Sequence, residues 1–287
     1  MMKKVIRLLP AEEVDMGGMP VLQPLPTYQV QQVDPFLLLH HHKGHIKPGS
    51  NPRSTGVGPH PHRGFMPVTF IIEGNVHHRD SMGNSQVVHA GGIQWVNAGS
   101  GMTHSERPSG DLAEEGGIQE ILQLWINLPA RLKGAAPTYL SAQRDEVETW
   151  TENGVEVQLF SGDYLEHRGR ISSPYPILSL MLHLPKGKEW NGVLPEDSNT
   201  LLYLIRGNVR MKGFGNIDEK TMIQLSSIGK EVGIEALDDA MVLVLSGSPI
   251  DEKVTSYGPF VMNTQTEILE ALRDAQSGRM GFLVEEF

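Results

Sequence analysis

The 287-residue chain contains no cysteine. That absence excludes disulfide bonds, cysteine-ligated zinc sites and thiol nucleophiles, and it is consistent with a reducing compartment. Positive charge is also scarce, because 24 Lys and Arg stand against 34 Asp and Glu, a formal net charge of −10. A surface of that charge disfavours direct binding of nucleic acid.

Long apolar runs and several common motifs are absent as well. No run of about 18 uncharged apolar residues occurs, so we expect no membrane-spanning segment. The first ten residues lack the apolar core of a signal peptide, which makes the cytoplasm the expected location. The G-x-S-x-G, P-loop and G-x-G-x-x-G motifs do not occur, so nothing supports an α/β-hydrolase, NTPase or Rossmann protein.

Glycine and proline, by contrast, are abundant, with 31 and 19 residues. Such a turn-rich composition favours β structure. Residues 122–128 and 177–184 place apolar side chains at every second position, which is typical of strands with one buried face. Near the end, a capping box at Thr264 and Glu267 predicts a short helix that closes near Gly278. Further strands are predicted at residues 68–72, 93–96, 201–205 and 241–245.

A weak internal repeat suggests how the chain is organised. Residues 70–76 (FIIEGNV) resemble residues 203–209 (YLIRGNV), at an offset of 203 − 70 = 133 residues. An offset close to half the chain predicts two tandem copies of one β domain. We place the boundary in the polar stretch at 141–153 and predict domains at 1–140 and 141–287.

Two pairs of polar residues have the spacing of metal ligands. His60-x-His62 follows a Gly-Val-Gly-Pro turn, and His104-x-Glu106 follows Gly-Ser-Gly. On extended strands, residues two apart share a face, so neighbouring strands could direct three imidazoles and one carboxylate at a common point. That donor set suits Fe, Mn, Ni, Cu or Zn. The alternative is that these are ordinary polar residues of Gly-rich loops.

The segments around these pairs resemble the pirin family. The matching motifs are HPHRGF at 60–65, IEG at 72–74, HHRDSMGN at 77–84, MTHSE at 102–106 and YGPFVMNT at 257–264. Pirins are bicupins, so the resemblance implies an all-β fold of two tandem cupin barrels with a short C-terminal helix. It also implies one metal, usually iron as Fe(II), in the N-terminal barrel, with His60, His62, His104 and Glu106 as ligands.

The resemblance implies more than one function. Bacterial pirins suggest a quercetin 2,3-dioxygenase, in which a flavonol-like substrate reacts with O2 and Glu106 acts as general base. Animal pirins suggest an iron- or redox-sensing co-regulator that binds a protein partner without turnover. A cupin enzyme for another small molecule, such as an isomerase, is the third alternative. All three remain open from the sequence.

The chain departs from the wider cupin pattern in both halves. Met66 stands where that pattern places a glutamate, which predicts a more apolar pocket. Adding 133 to 60, 62 and 104 gives Val193, Pro195 and Leu237, so we predict that the second barrel is metal-free.

The remaining histidines have other interpretations. The segment His40–His45 is interpreted as a solvated loop that binds metals only adventitiously. His77 and His78 lie on opposite faces of a hairpin arm, so at most one points inward, and we expect neither to bind metal.

Overall fold

The computed structural model describes residues 1–286, which fall into two units. Unit 1 comprises Met1–Leu39 and Asp145–Pro249, and unit 2 comprises His40–Arg144 and the chain from Ile250 onward. The predicted domains, 1–140 and 141–287, assign each half of the chain to one barrel, whereas each unit combines a segment from near one chain end with most of the opposite half. That division into domains stays a prediction.

Strands dominate both units, as the sequence predicted. The strands of the first half are β1 (Val5–Pro10), β2 (Glu12–Asp15), β3 (Pro20–Leu25), β4 (Phe36–Ile46), β5 (Val57–His62), β6 (Phe65–Glu73), β7 (Asn75–Asp80), β8 (Ser85–His89), β9 (Ile93–Asn97), β10 (Met102–Arg107), β11 (Gly117–Asn127) and β12 (Thr138–Ala142). Those of the second half are β13 (Glu148–Glu152), β14 (Val155–Ser161), β15 (Asp163–Tyr164), β16 (His167–Arg168), β17 (Ile177–Leu184), β18 (Glu189–Val193), β19 (Asn199–Arg206), β20 (Val209–Met211), β21 (Gly215–Ile217), β22 (Thr221–Leu225), β23 (Glu231–Ala236), β24 (Ala240–Gly247), β25 (Thr255–Tyr257) and β26 (Phe260–Met262).

Helices are few and short: α1 (Gly110–Glu115), α2 (Ala130–Lys133) and α3 (Gln265–Gln276). Helix α3 is the predicted C-terminal helix, and the capping box between Thr264 and Glu267 is formed. Within residues 1–286, none of the helices has the length and apolarity needed to cross a membrane.

Unit 1 contains two main antiparallel sheets around one apolar core, and β15 and β16 form a further two-stranded sheet. The larger sheet has the order β1-β22-β19-β24-β17-β14-β13, and the smaller has the order β18-β23-β20-β21. The predicted buried face of β17 is confirmed, because Leu178, Leu180, Leu182 and Leu184 all belong to the buried cluster, but Ser179 and Met181 on its other face are buried as well.

Unit 2 also combines a larger antiparallel sheet with a four-stranded sheet. Strands β12, β9, β6, β11 and β4 lie side by side, and β5-β10-β7-β8 form the four-stranded sheet. The predicted buried face of β11 is confirmed, because Leu122, Leu124 and Ile126 are all 0% exposed. Leu128 lies one residue beyond the strand and is buried as well.

The repeated sequence forms the same turn in each unit. Gly74 follows β6 with φ 75°, and Gly207 follows β19 with φ 71°. At each glycine, an added Cβ atom would lie 2.4 Å from a backbone oxygen, that of Ile118 or of Asp239. Side chains are disfavoured at this φ even without such a contact. The repeat therefore marks one connection that both barrels use.

The prediction for residues 40–45 was wrong, because they belong to strand β4 instead of a solvated loop. His41 is buried, with Nε2 2.9 Å from Oε1 of Glu120, and Lys43 donates to Oε2 of the same carboxylate at 2.9 Å. Glu120 is a fully buried residue of β11 that gives these polar side chains a partner in the sheet. Burial also lowers the pKa of His40 to about 4.

The C-terminal segment of unit 2 contacts the connection between β5 and β6 and is joined to it by helix α2. The Arg63 guanidinium lies 3.0 Å from Asp274 of α3. The buried ammonium of Lys133 donates to the carbonyl oxygens of Gly64 and Val261 at 2.6 and 3.0 Å. A Cβ at Gly64 would lie 2.0 Å from that Val261 oxygen, so only glycine permits this close approach.

Candidate metal centre

Two neighbouring strands bring the three predicted histidine ligands together. His60 and His62 lie on β5, and His104 lies directly opposite His60 on the antiparallel strand β10. The Nε2 atom of His60 is 3.0 Å from Nε2 of His62 and 3.1 Å from Nε2 of His104. The three residues form a group whose ligand atoms lie within 4.8 Å of one another and could hold a metal ion.

Backbone carbonyls fix which nitrogens of two of these rings face the centre. Nδ1 of His60 lies 2.8 Å from the oxygen of Gly58, and Nδ1 of His62 lies 3.3 Å from the oxygen of Pro259. A carbonyl only accepts, so each Nδ1 carries the hydrogen and each Nε2 carries a lone pair. Two lone pairs 3.0 Å apart repel each other unless a cation lies between them.

The nitrogen separations fit a common metal ion. Nitrogen ligands about 2.1 Å from one ion, at angles of about 90° to 109°, are about 3.0 to 3.4 Å apart. The observed separations of 3.0 and 3.1 Å agree with that estimate.

Burial keeps these imidazoles in the form that binds metals. It lowers the pKa of His62 and His104 well below the usual 6.5, and the neighbouring histidines add to the effect. Burial also lowers the pKa of His60. The hydrogen bond to Gly58 and the nearby Glu106 carboxylate raise this pKa, but the effect of burial is larger. Neutral imidazole is the metal-binding state.

Glu106 lies on β10, two residues after His104. One carboxylate oxygen accepts a hydrogen bond from Thr69 Oγ1 at 2.6 Å, and the other accepts from Gln123 Nε2 at 2.8 Å. A carboxylate has about four acceptor positions, so each oxygen keeps a free lone pair. Glu106 does not belong to the three-histidine group, and its predicted roles as ligand and base stay predictions.

Aromatic side chains border the group on one side. The ring centroids of Phe65 and Trp125 lie 5.0 and 5.5 Å from that of His62. Met66 is fully buried, and its sulfur lies 3.4 Å from the indole nitrogen of Trp95. The protein beside His62 is therefore largely apolar.

Two polar residues behind His104 received no role from the sequence. His78 is fully buried and Asp80 is 3% exposed, both on β7, the strand next to β10. The partly exposed His77 contacts Ser85, so one histidine of the pair points inward, as expected. The sequence signal that could have identified these two residues is the spacing His78-x-Asp80, which is the same two-residue spacing as in the predicted ligand pairs.

Two β-barrel units, one of which brings together three imidazoles, define a two-barrel protein whose site could hold a metal ion; His62 and His104 are buried, and His60 is partly buried. Family comparison is consistent with this class. The Pirin model matches residues 18–126, and the model of the Pirin C-terminal cupin domain matches residues 179–281. The chain therefore belongs to the pirin family, with an all-β fold of two cupin barrels and a short C-terminal helix.

Individual relatives cover most of the chain. A pirin-like protein of Caulobacter vibrioides is 36% identical over 268 residues, 92% of this chain and 94% of its own length. A crystal structure of quercetin 2,3-dioxygenase from Acinetobacter baumannii is 34% identical, with a TM-score of 0.92 over 99% of this chain and 100% of that chain.

A more distant structure is that of the Escherichia coli pirin YhhW in complex with nickel(II). It is 19% identical, with a TM-score of 0.68 over 85% of this chain and 99% of that chain. At that identity the likeness shows the fold alone.

Proposed function

We propose that this protein is a metal-dependent dioxygenase that opens a flavonol-like ring with O2, with Fe(II) as its metal. The observation that carries the proposal is the convergence of three Nε2 atoms at separations of 3.0 and 3.1 Å. The likeness to an Acinetobacter baumannii quercetin 2,3-dioxygenase over 99% of the chain supports the substrate class.

In this proposal His60, His62 and His104 hold the ion, and Glu106 is the fourth ligand. The ion, when bound, supplies Lewis-acid and redox chemistry for the reaction of the substrate with dioxygen. The same donor set also accepts Mn, Ni, Cu or Zn, so the metal that the cell supplies contributes to the choice.

Glu106 is proposed to accept the proton of the substrate hydroxyl as general base. Thr69 and Gln123 support this role, because each donates to one carboxylate oxygen and fixes the orientation of the group. The apolar rings of Phe65 and Trp125 beside His62 suit a flat aromatic substrate. Ring opening adds both atoms of O2 to the carbon skeleton and releases one carbon as carbon monoxide, so the atoms balance.

The test is oxygen uptake by anaerobically purified, Fe(II)-loaded protein supplied with quercetin. We expect flavonol loss and oxygen consumption in equal amounts, and carbon monoxide as a product. His62→Ala should abolish both. His89→Ala removes an exposed histidine of the same unit and should leave both unchanged.

Stoichiometric iron without oxygen consumption would overturn the dioxygenase. The alternative function is then an iron- or redox-sensing protein without turnover. The net charge of −10 favours a basic protein partner for that function. Turnover of another small molecule without oxygen would instead support a different cupin enzyme, such as an isomerase.

A further inference from the structure

His104 differs from the other two histidines in what faces its second ring nitrogen. Backbone carbonyls face Nδ1 of His60 and of His62. Nδ1 of His104 instead lies 3.4 Å from Nδ1 of His78. Where two neutral imidazole nitrogens share a hydrogen bond, one carries the hydrogen and the other accepts it.

Asp80 decides the direction of that hydrogen bond. Its Oδ2 atom lies 3.1 Å from Nε2 of His78, and both side chains are 0% exposed. The carboxylate also accepts from the backbone nitrogens of Met82 and Asn84 at 2.9 and 3.0 Å, and from the Asn84 amide at 2.7 Å. An ionised carboxylate only accepts, so Nε2 of His78 carries the hydrogen, and in the neutral ring Nδ1 of His78 is then an acceptor.

The Asp80 carboxylate is held in its ionised form. Burial raises the pKa of Asp80, but the hydrogen bonds from His78 and Asn84 lower it, and the outcome lies below the usual value. The ring of His78 is also fixed in orientation, because it stacks on Tyr139 with centroids 4.1 Å apart and an interplanar angle of 13°. Nδ1 of His78 is therefore held toward His104 as an acceptor.

We propose that Asp80 and His78 are positioning residues for the metal ligand His104. His78 accepts the hydrogen of His104 Nδ1, and Nε2 of His104 keeps a lone pair directed at the centre, 3.1 Å from Nε2 of His60. A hydrogen-bonded carboxylate behind a ligating imidazole fixes its tautomer and raises its basicity. The inference rests on the proposed metal site, and it is independent of the reaction that the site performs.

Two variants test the chain of hydrogen bonds. His78→Phe keeps an aromatic ring against Tyr139 but removes both nitrogens. Asp80→Asn offers an amide donor to His78, which reverses the direction of the bonds. The matched control is His77→Phe, because His77 is the adjacent residue on the opposite face and contacts Ser85. Near-UV circular dichroism checks the fold of each variant. If Asp80→Asn does not fold, the result for His78→Phe alone decides between the proposal and its rejection.

The first measurement is the tautomer of His104, from nitrogen-15 NMR of the imidazole nitrogens in metal-free protein at neutral pH. The second is the affinity for Zn(II), from competition with a chromophoric chelator. In the wild type we expect the imidazole hydrogen of His104 on Nδ1. In Asp80→Asn we expect Nδ1 of His104 to have lost that hydrogen. We expect Zn(II) affinity to fall by about 10- to 100-fold in both variants and to be unchanged in His77→Phe.

The results separate this inference from the dioxygenase proposal. A hydrogen on Nε2 of His104 in the wild type, or wild-type Zn(II) affinity in His78→Phe, would overturn the positioning role. A wild-type protein that binds Zn(II) but consumes no oxygen with quercetin overturns the dioxygenase, while the expected behaviour of the variants still supports the positioning role. A wild-type protein that binds no divalent metal stoichiometrically overturns both.

Discussion

The two four-stranded sheets have the same strand arrangement, but the side chains at the positions compared are polar in one sheet and apolar in the other. Unit 2 has the order β5-β10-β7-β8, and unit 1 has the order β18-β23-β20-β21. His60 pairs with His104 in the first sheet, and Trp190 pairs with Ile234 in the second. One ladder position therefore carries two imidazoles in one barrel and two apolar side chains in the other.

The correspondence extends to the next strand. His104 pairs with Asp80 on β7, and Ile234 pairs with Met211 on β20. Trp190, Ile234 and Met211 all belong to the apolar core of unit 1. Turn glycines and strand alternation, which both units share, thus specify the barrel. The inward side chains, which differ, decide whether the interior is a core or a site.

The paired strands give a second offset between the two halves, which differs slightly from that of the repeated turn. In the matched strands the offset is 190 − 60 = 130 and 234 − 104 = 130, whereas the repeated turn has an offset of 133. By this offset the ladder positions of His60 and His104 correspond to those of Trp190 and Ile234, three residues before Val193 and Leu237. The connections between strands differ in length, so one offset cannot hold throughout.

The largest expected effect is the loss of stability when Trp190, in the apolar core of unit 1, is replaced. Trp190 is 1% exposed, and its indole nitrogen has no hydrogen-bond partner, so Trp190→Ala removes packing alone. We expect a loss of about 3 to 5 kcal/mol in the free energy of unfolding, measured by urea denaturation. Zn(II) affinity of the folded variant should be unchanged, because the proposed site lies in unit 2.

The control for this variant is Val193→Ala on the same strand. Val193 is 52% exposed, so we expect a change within about 0.5 kcal/mol. A Trp190→Ala protein that is as stable as this control would contradict the assignment of Trp190 to a core.

A smaller effect is expected at His40, a buried polar residue of unit 2. Burial lowers the pKa of His40 to about 4. Between about 6.5 and 4 the unfolded chain therefore binds more protons at this group than the folded protein, so stability falls as the pH falls. We expect the wild type to lose up to about 3 kcal/mol more than His40→Leu across that window.

Urea denaturation at several pH values between 4 and 7 measures this difference, with His89→Leu at an exposed position as the matched control. Parallel pH curves for the wild type and His40→Leu would show that His40 is not held neutral by the fold.

Local patterns predicted the parts of this structure that depend on neighbouring residues. Alternation predicted β11 and β17, the capping box predicted α3, and the two-residue spacing predicted that His60 and His62 share a face. These signals are local because side-chain direction and helix capping depend on residues within a few positions.

Features that depend on distant partners escaped prediction. The polar segment at residues 40–45 is part of a strand because Glu120, far along the chain, is buried beside it. The position of His78 behind His104 depends on the pairing of β7 with β10, which the spacing alone does not specify. The grouping of the chain ends in the two units likewise depends on long-range packing.

The central claim is that inward imidazoles make one barrel a metal site. The most direct measurement is the stoichiometry and affinity of Zn(II) binding to the wild type and to His104→Ile, which installs the unit 1 counterpart. If about 10 to 16 kcal/mol is shared among four ligands, loss of one costs about 3 kcal/mol, more than a hundredfold in affinity. We predict one ion per wild-type chain and such a loss in the variant. Equal binding by both proteins, or no stoichiometric binding by the wild type, would contradict the account.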